Sequence, residues 1–375
     1  MAYRKVNDNS LSSVADAIRS KGGTSDALVF PDGLVTAIQA IQTGTELKIV
    51  VSVTSGATVT ATKRSLSVSG TSVNGTCTLT VPEEGEWTVS AILGGKTSIS
   101  NIVNVVSSYD TVLAFATLND NSWETIRRVS DAGGGENYWS IGDRKAVTLN
   151  GTVGHLTLSN YTTYAFIIGF NHNSSLEGSN RIHFQLAKTA SSGGTDIAFC
   201  DSSYGSTVST TGYFSMNISN TNSGGWKSSQ MRTNICGTSL SSYSGTIIAV
   251  IPAELRDALK SVTKYTENTA DGGGFSSDSV TATTDYFFLL SEYEVFGTIS
   301  SANQNEKNKQ AQYAYYSAGN SKIKYKHNET STAAGWWFRS PPAGNPFGFP
   351  YVHTDGTVSN SWANYSYGFA PGFCV

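Results

Sequence analysis

The chain has 375 residues, a formal net charge of -3, and 14% charged against 39% hydrophobic residues. At roughly 100 to 200 residues per domain this is enough for two or three domains with ample cores. The low charge, 37 Gly, 18 Tyr and abundant Ser, Thr and Asn fit β-structure with long ordered loops and exclude a disordered chain. No Lys/Arg cluster occurs, so the electrostatic footprint of a nucleic-acid binder is absent.

The opening stretch Met1 to Asp8 carries no apolar signal core, and no apolar run of about 18 residues follows, so synthesis without Sec export or membrane insertion is expected. Residues 8–42 read as two short helices. Leu11, Val14, Ala15 and Ile18 share one face behind Ser10 as N-cap, with Gly22-Gly23 as the stop. Pro31 and Asp32 open the second helix, with Leu34, Ala37, Ile38 and Ile41 along one side. Such short helices are marginal alone in water. Residues 1–45 therefore form either a helical hairpin packed on the next domain or a segment for attachment and oligomerisation.

From Glu46 the period changes to two: Leu47, Ile49, Val51 and Val53, then Leu66 and Val68, Cys77, Leu79 and Val81, Trp87, Val89 and Ala91, and finally Ile102, Val103 and Val105. Five or six short strands with turn-rich breaks predict a small immunoglobulin-like β-sandwich over 46–110. Nothing in it converges polar groups, so it reads as a spacer.

The last block, 111–375, mixes periods and predicts one α+β domain with much of its length in loops. Ser122 caps a helix through Trp123, Ile126 and Val129 that Gly133-Gly134-Gly135 ends. Strands are expected at 145–149, 155–158 and 164–170, a helix through Leu255, Ala258, Leu259 and Val262, a buried strand at 285–290, and a helix over 306–316. A strand through Trp337, a hairpin around Asp355-Gly356 and a terminal strand at Phe373 complete it.

Catalytic signatures are missing. There is no GxSxG, GxxxxGK[ST], HExxH or GxGxxG, and the triple glycines at 133–135 and 272–274 lack the strand-then-helix context of a phosphate cradle. His155, His172, His183, His327 and His353 are scattered singly and read as ordinary hydrogen-bonded or surface residues. A carboxylate pair could still meet in space, but the aromatic C-terminal block holds a single carboxylate, Asp355. Cys77, Cys200, Cys236 and Cys374 show no ligand spacing and read as buried small hydrophobes, with a Cys200–Cys236 disulfide as the alternative. No metal or other cofactor is expected; calcium would need an acidic cluster that the sequence does not show.

The stretch from Gly335 to Val375 has the composition of a recognition surface, with rings for contact area and Ser, Asn and Gly for adaptable hydrogen bonds. Trp336, Trp337, Arg339, Pro371 and Phe373 read as its fixed scaffold. Asn345, Phe347, Phe349, Tyr351, His353, Asn360, Trp362, Asn364, Tyr365, Tyr367 and Phe369 read as ligand-binding positions on exposed loops.

Gly335-Trp336-Trp337-Phe338-Arg339-Ser340-Pro341, Asp355-Gly356 and Gly368-Phe369-Ala370-Pro371-Gly372-Phe373-Cys374 resemble the end of C-type-lectin-like domains in bacteriophage tail receptor-binding proteins, especially the variable proteins of diversity-generating retroelements. Stretches 119–126, 138–143, 165–173 and 13–23 resemble the same group. The resemblance implies a C-type-lectin-like scaffold whose C-terminal loops bind a bacterial surface glycan or protein, an N-terminal region that fixes the protein to the phage tail, a homotrimer, and a place in the virion tail. In retroelement-linked members, randomised template adenines turn AAC codons into NNC, which cannot encode Lys, Glu, Gln, Met or Trp. Those residues are absent after Ser340 except for Trp362. Ala370 departs from the family, which often carries Arg before that Pro. A non-enzymatic adhesin is expected; an enzyme on a formylglycine-generating scaffold or a bacterial carbohydrate-binding module are the alternatives.

Overall fold

The computed structural model describes residues 8–22, 32–40, 46–270 and 276–375. Pro31, Ile41 and the glycines at 272–274 lie outside them. The two N-terminal helices run Asp8–Gly22 and Asp32–Ala40. The first starts two residues before Ser10, which is therefore inside the helix and not its cap. Ala15, Ile18 and Ala37 pack together, while Val14, Val35 and Ile38 are exposed. No helix among the described residues is long and apolar enough to cross a membrane.

Residues 48–112 form two facing sheets. In one, Lys48–Ser52 lies between Thr76–Thr80, antiparallel, and Ser108–Val112, parallel. In the other, Leu66–Thr71, Thr58–Lys63 and Gly85–Leu93 are neighbours, with Lys96–Thr97 and Asn101–Val105 both paired to Gly85–Leu93. Alternation puts Val51, Val59, Trp87 and Val89 fully inside. Two strands escaped the apolar pattern, because Thr58–Lys63 (TVTATK) and Ser108–Val112 (SYDTV) carry Thr, Ser or Asp between their apolar residues. The boundary expected after residue 110 falls inside the second, and Leu113 and Phe115 still belong to this core.

A second core begins at Ala114 and runs to Val375. Its main sheet is antiparallel, in the order Phe287–Phe288, Gly372–Cys374, Ile182–Lys188, Leu156–Phe170, Arg144–Val153. Leu156–Phe170 is one continuous strand where two were expected, with a register shift between Leu158 and Tyr161. Ile182–Lys188 is buried at every position despite His183, Gln185 and Lys188. Helix Trp123–Asp131 lies against the sheet; Ser122 Oγ accepts from Thr125 N at 3.1 Å, and the Trp123 ring meets Phe184 and Phe373 edge-on at 5.5 and 6.0 Å. The same helix holds the sandwich, since Arg128 Nη1 donates to Ser52 Oγ at 2.6 Å and Ser122 N to Thr54 Oγ1 at 3.1 Å.

Smaller pieces complete the region. The helix after Pro252 stops at Ala258, and Val262 opens strand Val262–Glu267, paired with Val280–Asp285. The helix expected over 306–316 is two short turns, Gln304–Asn308 and Ala314–Ser317. Glu306 in the first turn and Gln310 after it turn inward to bond buried groups. A three-stranded antiparallel sheet places Gly348–Val352 between Trp336–Trp337 and Val358–Trp362. The chain is thus a mixed α+β protein with several separate sheets. All four cysteines are free and buried, so Cys200 and Cys236 form no disulfide.

Candidate functional site: an aromatic face and a buried charge network

The three-stranded sheet builds the first candidate. Strands Gly348–Val352 and Val358–Trp362 pair from Val352↔Val358 to Gly348↔Trp362, closed by the turn that Asp355-Gly356 predicts. His353 N donates to Thr357 O at 2.8 Å, and Gly356 takes a φ of +85°. Asp355 Oδ1 accepts from Thr357 Oγ1 at 2.6 Å and Thr357 N at 3.0 Å, hydrogen bonds that hold its carboxyl down at about 2.

Rings from this sheet and from the segment that follows it form a row. Tyr351 and Tyr367 stack at 4.5 Å, Tyr365 lies nearly parallel to Tyr367 at 6.2 Å, and Trp362 meets Tyr365 edge-on at 5.8 Å. The buried Trp337 backs the row, 5.0 Å from Tyr367 and 5.8 Å from Tyr351. Two glycines make the packing feasible. A Cβ on Gly335 would lie 2.7 Å from the Tyr351 ring, and one on Gly368 would lie 2.7 Å from the Gly335 carbonyl oxygen.

Of the expected binding positions, Phe347 (53% exposed), Trp362 (54% exposed) and Asn360 face solvent, and Asn345, His353, Asn364, Tyr365 and Tyr367 are half-buried. Tyr351 is 7% exposed and shows little more than an edge. Phe349 and Phe369 are corrections: both are fully buried. Phe349 is in a strand buried at every position rather than in a loop, and Phe369 bridges Phe199 and packs on Phe214 at 5.2 Å. The expected scaffold of Trp336, Trp337, Arg339, Pro371 and Phe373 is buried throughout.

Sequence reasoning missed two contributors. Tyr204 OH accepts from Gly335 N at 2.8 Å, its ring lies 5.8 Å from Tyr367, and Lys326 Nζ stands 4.9 Å over it. Ile218, 41% exposed, follows Asn217, whose N donates to Ala363 O beside Trp362. Asp201 anchors the loop that brings Tyr204 in, accepting from Ser203 N and Ser366 Oγ, both at 2.8 Å, and from Phe214 N at 2.6 Å. The run Ser202 to Tyr213 shares the Ser/Gly/Tyr composition of the C-terminus and was the available signal.

The second candidate is buried. Lys264 Nζ donates to Glu177 Oε2 at 2.5 Å, Tyr313 OH at 2.8 Å and Glu294 Oε1 at 2.9 Å. Arg339 binds Glu294 with both terminal nitrogens, at 2.5 and 2.9 Å, and its Nε donates to Thr266 Oγ1 at 2.8 Å. His172 stacks on Tyr313 at 3.7 Å, and His183 Nδ1 lies 3.0 Å from Tyr313 OH and 3.3 Å from Cys374 Sγ. Two of the histidines that look scattered in sequence, His172 and His183, therefore meet, with ring centroids 5.5 Å apart.

Burial dominates the titration of this cluster. It lowers His172 to about 3 and carries His183 downward too, leaving both neutral. It raises Glu177 to about 7 against the pull of Lys264. In Glu294 burial is overcome by Arg339 and Lys264, which hold the carboxyl well below its ordinary value. His172, Glu177 and Glu294 bring ligand atoms within 4.8 Å of one another, the spacing of a metal centre. The set does not fit a cation, because Lys264 and Arg339 already neutralise both carboxylates and a divalent ion would add uncompensated charge to a dry core.

Residues 206–375 match a family model described as Domain of unknown function (DUF6273). The match spans Lys264, Glu294, Arg339 and the aromatic row, and leaves out Glu177, His172, His183 and Tyr204. No curated protein matches the chain.

Proposed function

We propose that this chain is a phage or prophage tail adhesin that binds a bacterial surface glycan or protein through the face built by Phe347, Trp362, Tyr365, Tyr367 and Tyr204. In this reading residues 111–375 are a C-type-lectin-like domain, the sandwich before it is an immunoglobulin-like spacer, and the N-terminal helices fix a homotrimer to the tail of the virion.

One observation carries the reading. Phe347 and Trp362 are each more than half exposed, and Trp362 adjoins a row of rings that Trp337 and Gly335 hold in place. Exposed aromatic anchors on a rigid support are what a binding surface needs, because little side-chain entropy is lost on contact. The enzyme alternative draws on a reactive thiol, and burial lifts Cys374 to about 12, which keeps it protonated and inert at neutral pH.

The test is cell binding. Labelled protein is screened against a panel of bacteria, and the triple variant Phe347→Ala, Trp362→Ala, Tyr365→Ala is compared on any strain that binds. Loss of cell binding with an unchanged melting temperature is expected. Retained binding places the receptor site elsewhere, and a monomer by light scattering removes the trimer from the proposal.

A further inference from the structure

Lys264, Glu177 and Glu294 form an amine and two carboxylates in contact, each side chain at most 1% exposed. The Phe288 ring lies 4.3 Å and the Tyr313 ring 5.1 Å from Lys264 Nζ, so apolar faces close the pocket around the amine. We propose that Lys264 and Glu177 condense into an intramolecular amide, an isopeptide crosslink between strand Val262–Glu267 and the short helix Ser174–Glu177.

Charge balance favours it. Arg339 alone, with its two-pronged contact, neutralises Glu294, so Lys264 and Glu177 can lose their charges together and leave no unpaired ion. Condensation converts a buried ion pair, whose desolvation is costly, into a neutral amide. The surroundings of Glu177 point the same way. His172 Nε2 faces Glu177 Oε1 at 3.8 Å with no hydrogen-bond partner, while the Ala311 carbonyl takes the ring's other nitrogen. A lone pair facing a carboxylate oxygen is favourable only when that carboxyl carries a proton. Burial, which raises Glu177 to about 7, supplies that state near neutral pH.

The step balances. Lys264 passes one ammonium proton to Glu177, giving a neutral amine and a neutral acid. Nζ attacks Cδ of Glu177, forming the C–N bond. Glu294 Oε1, 2.9 Å from Nζ, takes the proton that nitrogen sheds and delivers it to the departing hydroxyl. One water leaves, and no oxidant, reductant or cofactor is needed. Groups fixed in contact react with effective concentrations of about 10⁵–10⁸ M, which drives an amide that free amines and acids in water do not form.

The experiment is the intact mass of the full chain in denaturant, followed by a peptide map. Wild type is expected to be lighter than its sequence by one water, with a branched peptide joining the segments of Glu177 and Lys264. Lys264→Met is expected at full mass, and Glu294→Gln at full mass or crosslinked only slowly. A wild-type map that recovers both peptides separately overturns the proposal, as does a water loss located at other residues. Should either variant fail to fold, the wild-type map decides alone. The outcome is independent of whether the aromatic face binds cells.

Discussion

Between Ile49 and Phe115 the buried side chains are apolar except for Ser72 and Ser98, whereas the region beyond buries Glu177, Glu267, Glu292, Glu294 and Glu306 together with Lys264 and Arg339. The difference follows from where backbone groups find partners. In the sandwich the buried strand segments pair with one another in ladders, and the core needs only apolar side chains. The C-terminal region has long irregular loops, and its glutamates act as internal partners for their backbone. Glu292 accepts from Ser300 N at 2.5 Å and Ala302 N at 2.8 Å, Glu267 from Thr269 N at 2.8 Å and Ala270 N at 3.1 Å, and Glu306 from Glu267 N at 2.8 Å. Long loops can thus be ordered without regular structure, at the cost of a core that tolerates no loss of a partner.

Removing one partner is the sharpest way to break this comparison. Arg339→Leu removes the two-pronged partner of the buried Glu294 carboxylate and is expected to cost about 3–5 kcal/mol in urea unfolding. Ile49→Val in the sandwich removes one methylene and should cost about 1 kcal/mol. Equal costs for the two would mean that the charge network is incidental to stability.

The pH dependence sharpens it further. Burial raises Glu306 from 4.5 to about 7, so the folded state binds a proton that the unfolded state has released. Its contribution is fully present below about 4.5 and is lost as pH rises through about 7. His172 works in the opposite sense: lowered from 6.5 to about 3, it loses stability for the fold as pH falls through that window. Glu306→Gln is neutral at all pH, so its stability relative to wild type should improve from pH 5 to pH 8 by up to about 3 kcal/mol. Paired denaturant titrations at the two pH values measure it, and an unchanged difference would show that Glu306 is ionised in the fold throughout.

The same contrast explains what could be read from residue order. Alternation at Ile49, Val51, Trp87 and Val89 marked the sandwich because its core obeys a two-residue period. Ser122 before Trp123, Ile126 and Val129 marked a helix, and Asp355-Gly356 a hairpin, because caps and turns are local chemistry. The polar core left no such trace. Glu177, Lys264, Glu294 and Arg339 come from four separate segments, and a charged residue in a loop looks the same whether it is solvated or buried. The aromatic block was legible as a surface in composition but not position by position, since burial there depends on where the strand begins and on what covers both of its faces.

Phe347 and Phe349 show how much that boundary matters, because residues two apart on one strand would share a face. They are two residues apart in a run of the same composition, yet one is 53% exposed and the other fully buried. Phe347 lies before the strand begins at Gly348, where it can turn outward, and Phe349 lies within the strand, all five positions of which are buried. Phe349→Ala should therefore cost about 3–5 kcal/mol as a core cavity. Phe347→Ala should stay within about 0.5 kcal/mol of wild type, the smallest effect of the set. Thermal melts of the two single variants separate frame from face directly. A marked loss of stability in Phe347→Ala would mean that its ring is covered in the native protein, and the recognition face would shrink to Trp362 and the tyrosines beside it.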